Sequence, residues 1–398
     1  MSISSLIGEI EASLDNFALS SVSRWKEKNP SSKAIGYFPV YVPVEMIHAA
    51  GMLPVMVAGS GGTQRRDYAD GYLQSAVCSV GRSTLEMKLD GSLDILDGMV
   101  FPSICEIPRA ISGIWHRHGE EPPVIYIHLP QNIKSPSAES YLVNELGRLR
   151  EWLEGISGRK ITDDDLRKSF EVYNRRIELL RKLDLMRSDN PELLKASEFY
   201  LLRLAGMRTS PEEHVELLEK VFTELTRSTY SPRLRYRVVL VGAFCERPPL
   251  AMLQTIENEG LAIVADDILL GQRWWLKSLP LEGDPLKALA EHYRSFASHS
   301  SVAFHPETRP CDDLLRAFHE RKADGVILAS SKSCQPAMQD QSCIVKACED
   351  EGIFYIRIQF DEEQRVFESI RVQVEALLEA RMKSPLAGVE NGNTGGQG

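Results

Sequence analysis

The chain has 398 residues, longer than one ordinary hydrophobic core supports, so two or three domains are expected. A net charge of −10 excludes the dense basic surface that a nucleic-acid backbone requires, and the absence of a run of ~18 apolar residues excludes a membrane-spanning helix. Met1 to Ile10 lack the basic start and apolar centre of a secretory signal; in the reducing cytoplasm this implies, seven cysteines read as packed thiols, metal ligands or nucleophiles before disulfides.

Leu6, Ile7, Ile10, Leu14 and Phe17 recur at helical spacing and predict an amphipathic supporting helix over Ser4 to Lys28, within residues 1–30. Residues 31–137 read as a first α/β domain. Its strands are the apolar runs Ala34–Tyr41, Leu53–Ala58, Ile95–Pro102 and Val124–Leu129, with helices near Val44–Ala50 and Tyr72–Lys88. Residues 138–232 are helical throughout: Leu166, Phe170, Tyr173, Ile177 and Leu180 step by three and four after the N-cap Thr162, and Ser210-Pro211-Glu212-Glu213 starts a second helix with a capping box. Residues 233–386 read as a second α/β domain, with strands at Tyr236–Ala243, Leu261–Ala265, Gly325–Ala329 and Ile353–Ile358 and helices near Pro249–Glu259, Pro285–Phe296 and Pro310–Lys322. Residues 387–398 are polar and Gly-rich, which predicts a disordered tail. The expected fold class is α/β, with two Rossmann-like doubly wound domains joined by a helical segment. Gly36–Val55 and Val239–Val264 share one rhythm, which fits internal duplication or the ordinary repeat of any doubly wound sheet.

In open parallel sheets, ligands bind beyond the carboxyl ends of the strands. That rule selects Cys105, Cys245 and Cys334, each just after a predicted strand, with Cys78 upstream in Ser75-Ala-Val-Cys-Ser-Val-Gly-Arg82. Thiolates favour zinc or iron–sulfur clusters over hard cations, although a lone cysteine near a strand is more often a small buried hydrophobe. Cys343 and Cys348 on one predicted helix, and Cys311 at the start of another, read as packing residues. Gly59-Ser-Gly-Gly62 lacks the Lys-Ser/Thr ending of a phosphate loop and reads as a turn, so this chain is not expected to hydrolyse ATP. His116 and His118 lack a third ligand. Asp266-Asp267 suits a ribose or a metal no better than it suits a helix cap, and no Gly-x-Ser-x-Gly elbow is present.

The segment Gly36-Tyr-Phe-Pro-Val-Tyr-Val-Pro-Val-Glu-Met-Ile-His-Ala-Ala-Gly-Met-Leu-Pro54, with Cys78, Phe101-Pro-Ser-Ile-Cys105 and Ser333-Cys-Gln-Pro336, resembles the benzoyl-CoA reductase and 2-hydroxyacyl-CoA dehydratase family. Leu129-Pro-Gln-Asn132 and Cys245-Glu-Arg-Pro-Pro249 are most similar to the branch that supplies the smaller of the two catalytic-module subunits of ATP-dependent benzoyl-CoA reductase. The resemblance implies a [4Fe–4S] cluster on Cys78, Cys105 and Cys334; it carries no ligand role over to Cys245, which is left as a thiol beside the ligands or an occasional extra ligand. It implies a related second subunit, a separate two-subunit ATP-hydrolysing module that activates electrons, ferredoxin as upstream donor, and an acyl-CoA substrate. No membrane or nucleic-acid partner is expected. Dehydratase members often carry serine where this chain has Val40, in the turn after the first strand, which favours an aryl substrate over a hydroxyacyl one.

Reducing an aromatic thioester needs electrons at very low potential, and thiolate-bound clusters extend to roughly −700 mV. Glu45, His48 and Glu106 are proton-donor candidates by nearness to the motifs, and Arg82 and Arg109 are candidates for the coenzyme phosphates. Each is equally explained as a solvated or capping residue. The expected activity is ATP-dependent reduction of benzoyl-CoA to a cyclic dienoyl-CoA in anaerobic aromatic degradation. The alternatives are a subunit of a 2-hydroxyacyl-CoA dehydratase, a cluster-holding electron relay, and a structural zinc protein.

Overall fold

The computed structural model describes residues 3–14, 19–62, 67–119, 121–228, 235–242, 245–275, 277–296, 303–364 and 366–382. The stretch expected as one N-terminal helix contains two, α1 (Ile3–Leu14) and α2 (Ser20–Lys28). Before α2 the chain turns at the buried Leu19, whose φ of 42° lies in the left-handed region. The expected tail, residues 387–398, lies outside the described residues.

The first α/β unit runs β1 (Ala34–Tyr37), α3 (Val44–Ala49), β2 (Leu53–Met56), α4 (Ser79–Leu89), β3 (Gly98–Pro102), α5 (Glu106–Arg117) and β4 (Val124–Ile127). Its strands are all parallel in the order β2-β1-β3-β4. β1, β2 and β3 are buried along their whole length, which is why they read as continuous apolar runs instead of alternating ones. Helix α4 begins at Ser79 and not at Tyr72, because Cys78 holds a non-helical backbone (φ −56°, ψ 148°). Ahead of it the backbone N–H groups of Tyr68 and Ala69 donate to the Glu86 carboxylate at 3.0 and 2.7 Å, fixing a separate short turn.

The helical segment follows as α6 (Ala138–Ser157), α7 (Asp163–Asp189), α8 (Ala196–Ala205) and α9 (Pro211–Arg227). Thr162 and Asp165 close the capping box at the start of α7, and Ser210 accepts the Glu213 N–H ahead of α9. The second α/β unit is β5 (Tyr236–Val241), α10 (Leu250–Asn258), β6 (Leu261–Asp267), α11 (Pro285–Phe296), α12 (Asp312–Glu320), β7 (Gly325–Ser331), α13 (Gln335–Asp350), β8 (Phe354–Phe360) and α14 (Glu368–Met382). Its sheet is again all parallel, in the order β6-β5-β7-β8. The two units therefore share one strand order, that of a flavodoxin-like doubly wound sheet.

One apolar core runs through both sheets and the helical segment, and a second, smaller one lies between β5, β7, α12 and α13. The helical segment is tied to the second sheet by a buried ion cluster. Arg187 and Arg203 donate to Asp266 at the end of β6, at 3.0 and 2.7 Å, and the Arg203 guanidinium lies over the Phe199 ring. No helix among the described residues is long and apolar enough to cross a membrane.

Candidate functional site

In this winding the crevice opens where the strand order reverses, between β1 and β3 in the first sheet and between β5 and β7 in the second. Cys105 lies just past β3, Cys245 past β5 and Cys334 past β7. The turn after β7 at the cleft is made by an unusual backbone, with Ser333 at φ of 66°. Cys78, Cys105 and Cys334 are the residues immediately before α4, α5 and α13. The positive ends of three helices thus meet three thiols, an influence toward thiolate that burial outweighs at Cys78 and Cys105. The N–H groups of Gly81, Ile107 and Ala337 face these sulfurs and act in the same sense, without completing full capping bonds.

All four cysteines line one cleft of about 1190 Å³. Its lining mixes apolar residues such as Phe38 and Ile104 with polar ones such as Arg109, Gln131 and Asn132. Burial pushes the Cys78 thiol well up and the Cys105 thiol to about 11. Cys245 donates its S–H to Cys334, which holds Cys334 below the ordinary thiol value and Cys245 far above it. The donor set is made of soft sulfurs, the kind that holds zinc or iron–sulfur groups. No three His, Cys, Asp or Glu side chains among the described residues converge as the ligands of a single ion would. A cluster distributes its thiolates over separate irons, so a set of spaced thiols around one cleft fits that group by chemistry.

Two buried carboxylates brace the walls. Glu246 accepts from Ser79, beside Cys78, and from Ser331 at the end of β7, joining the two α/β units. Burial pushes its carboxyl up to about 8. Glu362, after β8, accepts from Ser83 of α4 at 2.8 Å and from the Gly61 N–H. The glycine turn at residues 59–62 therefore wraps a carboxylate of the other unit. Gly59 and Gly62 both have φ of 74°, and a Cβ on Gly62 would lie 2.7 Å from the Glu362 backbone oxygen. Neither carboxylate stood out in the sequence: the only signal was Glu246 lying in the Cys245–Pro249 motif.

Of the residues singled out by sequence, Cys78, Cys105, Cys334, Glu106 and Arg109 line the cleft. Glu106 and Arg109 are exposed and stand 3.6 Å apart. Arg82 does not line the cleft and pairs with Asp70. Glu45 and His48 face away from the cysteines, because α3 turns its side chains toward the helical segment. Glu45 is buried, hydrogen-bonded by Tyr293 at 2.9 Å, and pushed up to about 7 by burial. His48 bonds Ser169 and Glu212, each at 2.9 Å. Val40 lines the small interior cavity beside Glu45 and Tyr293, so it carries no argument about the cysteine cleft. Asp266 lies in the ion cluster with Arg187 and Arg203, and Asp267 pairs with Arg273. His116 and His118 are exposed.

Residues 39–380 match the family described as 2-hydroxyglutaryl-CoA dehydratase, D-component. The chain belongs to this family. Over 94% of its length it is 35% identical to a subunit of benzoyl-CoA reductase of Thauera aromatica, covering 97% of that protein. It is 29% identical, over 87% of its length, to the beta subunit of (R)-phenyllactyl-CoA dehydratase of Clostridium sporogenes, covering 91% of that protein. It is also 29% identical, over 89% of its length, to the beta subunit of (R)-2-hydroxyglutaryl-CoA dehydratase of Acidaminococcus fermentans, covering 94% of it. These relatives are named as subunits, so the family context is that of multi-subunit enzymes acting on coenzyme A thioesters.

Proposed function

We propose that this chain is a subunit of an ATP-dependent benzoyl-CoA reductase, equivalent to the Thauera aromatica subunit it resembles, and that its complex reduces the ring of an aryl-CoA thioester to a cyclic dienoyl-CoA. The observation that carries this reading is the 35% identity over nearly the full length of that reductase subunit, against 29% for the two dehydratase subunits. On this reading Cys78, Cys105 and Cys334 hold a [4Fe–4S] cluster in the cleft. When bound, a cluster of this type supplies single electrons at low potential.

The chain's own groups prepare the site. The helix N-termini at the three cysteines stabilise negative charge, and the Glu246 and Glu362 braces hold the two walls at a fixed separation. Arg109 at the mouth offers a cation to the coenzyme phosphates, and Glu106 beside it offers a solvent-exchanging carboxyl for proton delivery. Phe38 and Ile104 in the lining offer apolar surface to an aryl ring. ATP hydrolysis is assigned to a separate two-subunit module fed by ferredoxin, and the second half of the site to a related partner subunit.

The test is product analysis of the assembled complex given ATP, a strong reductant and benzoyl-CoA. A cyclic dienoyl-CoA formed with two electrons consumed per product is expected. Dehydration of a 2-hydroxyacyl-CoA, with electrons needed only to start turnover, would place the chain with the dehydratases instead.

A further inference from the structure

Cys311 and Cys343 lie outside the cleft, in the small core between β5, β7, α12 and α13. They are 32 residues apart in sequence, and their sulfurs stand 3.5 Å apart in a shared hydrogen bond. Cys311 caps α12 and is fully buried, whereas Cys343, midway along α13, is partly exposed. One thiol of the pair is therefore open to a small oxidant while its partner is sheltered behind it. Burial pushes the Cys311 thiol up to about 12, and the Cys343 contact adds to that rise, while the Arg309 guanidinium pulls the other way. Arg309 is itself paired with Asp312 at 2.8 Å, which keeps its charge beside both sulfurs.

We propose that Cys311 and Cys343 form a reversible thiol–disulfide pair, closed by peroxide-class oxidants and reopened by dithiol reductants. The Cys343 thiolate attacks one peroxide oxygen; the O–O bond breaks, water leaves, and Cys343 becomes a sulfenic acid. The Cys311 thiol then attacks the Cys343 sulfur and passes its proton to the departing hydroxyl, so that the S–S bond forms, the S–O bond breaks and a second water leaves. The two thiols together give up two electrons and two protons, and one peroxide becomes two waters. Bonding requires the sulfurs to approach by about 1.5 Å from their 3.5 Å separation.

The bond would do more than join two surface helices. Helix α13 carries Cys334 at its N-terminus and Cys343 nine residues on, a rise of roughly 13 Å along one rigid rod. Closing the pair adds a covalent tie between α12 and the helix that presents a cleft cysteine, and reduction removes that tie.

The test uses the intact complex, purified without oxygen, treated with a small excess of hydrogen peroxide, then denatured, alkylated and digested without reductant. A cross-linked peptide joining residues 311 and 343, two hydrogens lighter than the separate peptides and lost on dithiothreitol treatment, is expected. Cys343→Ser should abolish it and leave Cys311 alkylatable, while Cys348→Ser should form it as the wild type does. Recovery of Cys311 and Cys343 as separately alkylated thiols would overturn the proposal, as would Cys343 oxidised to sulfinic acid beside an intact Cys311 thiol.

Discussion

Glu45 shows how far nearness in sequence can mislead about a site. It follows the motif turn by a few residues, yet its carboxyl is buried on the far side of β1, where Tyr293 touches both it and the Val42 carbonyl. Tyr293 has one hydroxyl hydrogen, so an acid-form Glu45 that donates to Tyr293 leaves that hydrogen free for Val42. Burial, the largest influence, pushes Glu45 from an ordinary 4.5 to about 7. Between those values the folded chain keeps a proton that the unfolded chain has released, so stability falls as pH rises through the window. Glu45→Gln should remove this slope, a difference on the order of 3 kcal/mol between the two ends. Urea unfolding of both proteins at about pH 4.5 and pH 7.5 checks it: the variant should gain on the wild type at the higher pH, and parallel curves would mean Glu45 stays ionised.

At the scale of elements, the parallel strands were legible because burial on both faces leaves nearly unbroken apolar runs, and the start of α7 because Thr162 and Asp165 satisfy its first N–H groups locally. Helix α4 was misread at its start, since the sequence carries no local signal that Cys78 leaves the helical conformation. The glycine turn was legible as a turn, but its partner Glu362 lies 301 residues from Gly61, beyond any local pattern. That contact makes a prediction. Gly62→Ala places a side chain at φ 74° and within 2.7 Å of Glu362 backbone, so it should cost more than ~1 kcal/mol and lower the unfolding midpoint. Gly155→Ala, inside α6 with open space around it, should stabilise by about 0.5–1 kcal/mol. Equal midpoints for the two variants would show that the turn does not hold the seam between the units.

For the molecule as a whole, the cleft belongs to neither α/β unit alone. Cys78 and Cys105 come from the first, Cys245 and Cys334 from the second, and Glu246 spans the seam between them. The strand-end rule selects three of these cysteines from the sequence, because carboxyl ends of parallel strands are where helix N-termini converge, and their origin in both α/β regions already allowed them to meet in one interdomain cleft, which they line. A group held by thiolates from both units binds only the assembled fold, so its binding free energy adds to the stability of the whole chain. If the proposed cluster sits there, replacing Cys78, Cys105 or Cys334 by Ala should lower iron and acid-labile sulfide together, and should also remove the rise in unfolding temperature expected when the wild type is reconstituted. Cys343→Ala, in the separate small core, should keep both. On the same reading, Cys245→Ala should keep the iron content while losing the S–H that Cys245 donates to Cys334, and should shift the absorption spectrum of the reconstituted protein. Equal iron and equal stabilisation across all these variants would mean that the cleft cysteines are packing residues, and that the metal, where present, is held elsewhere.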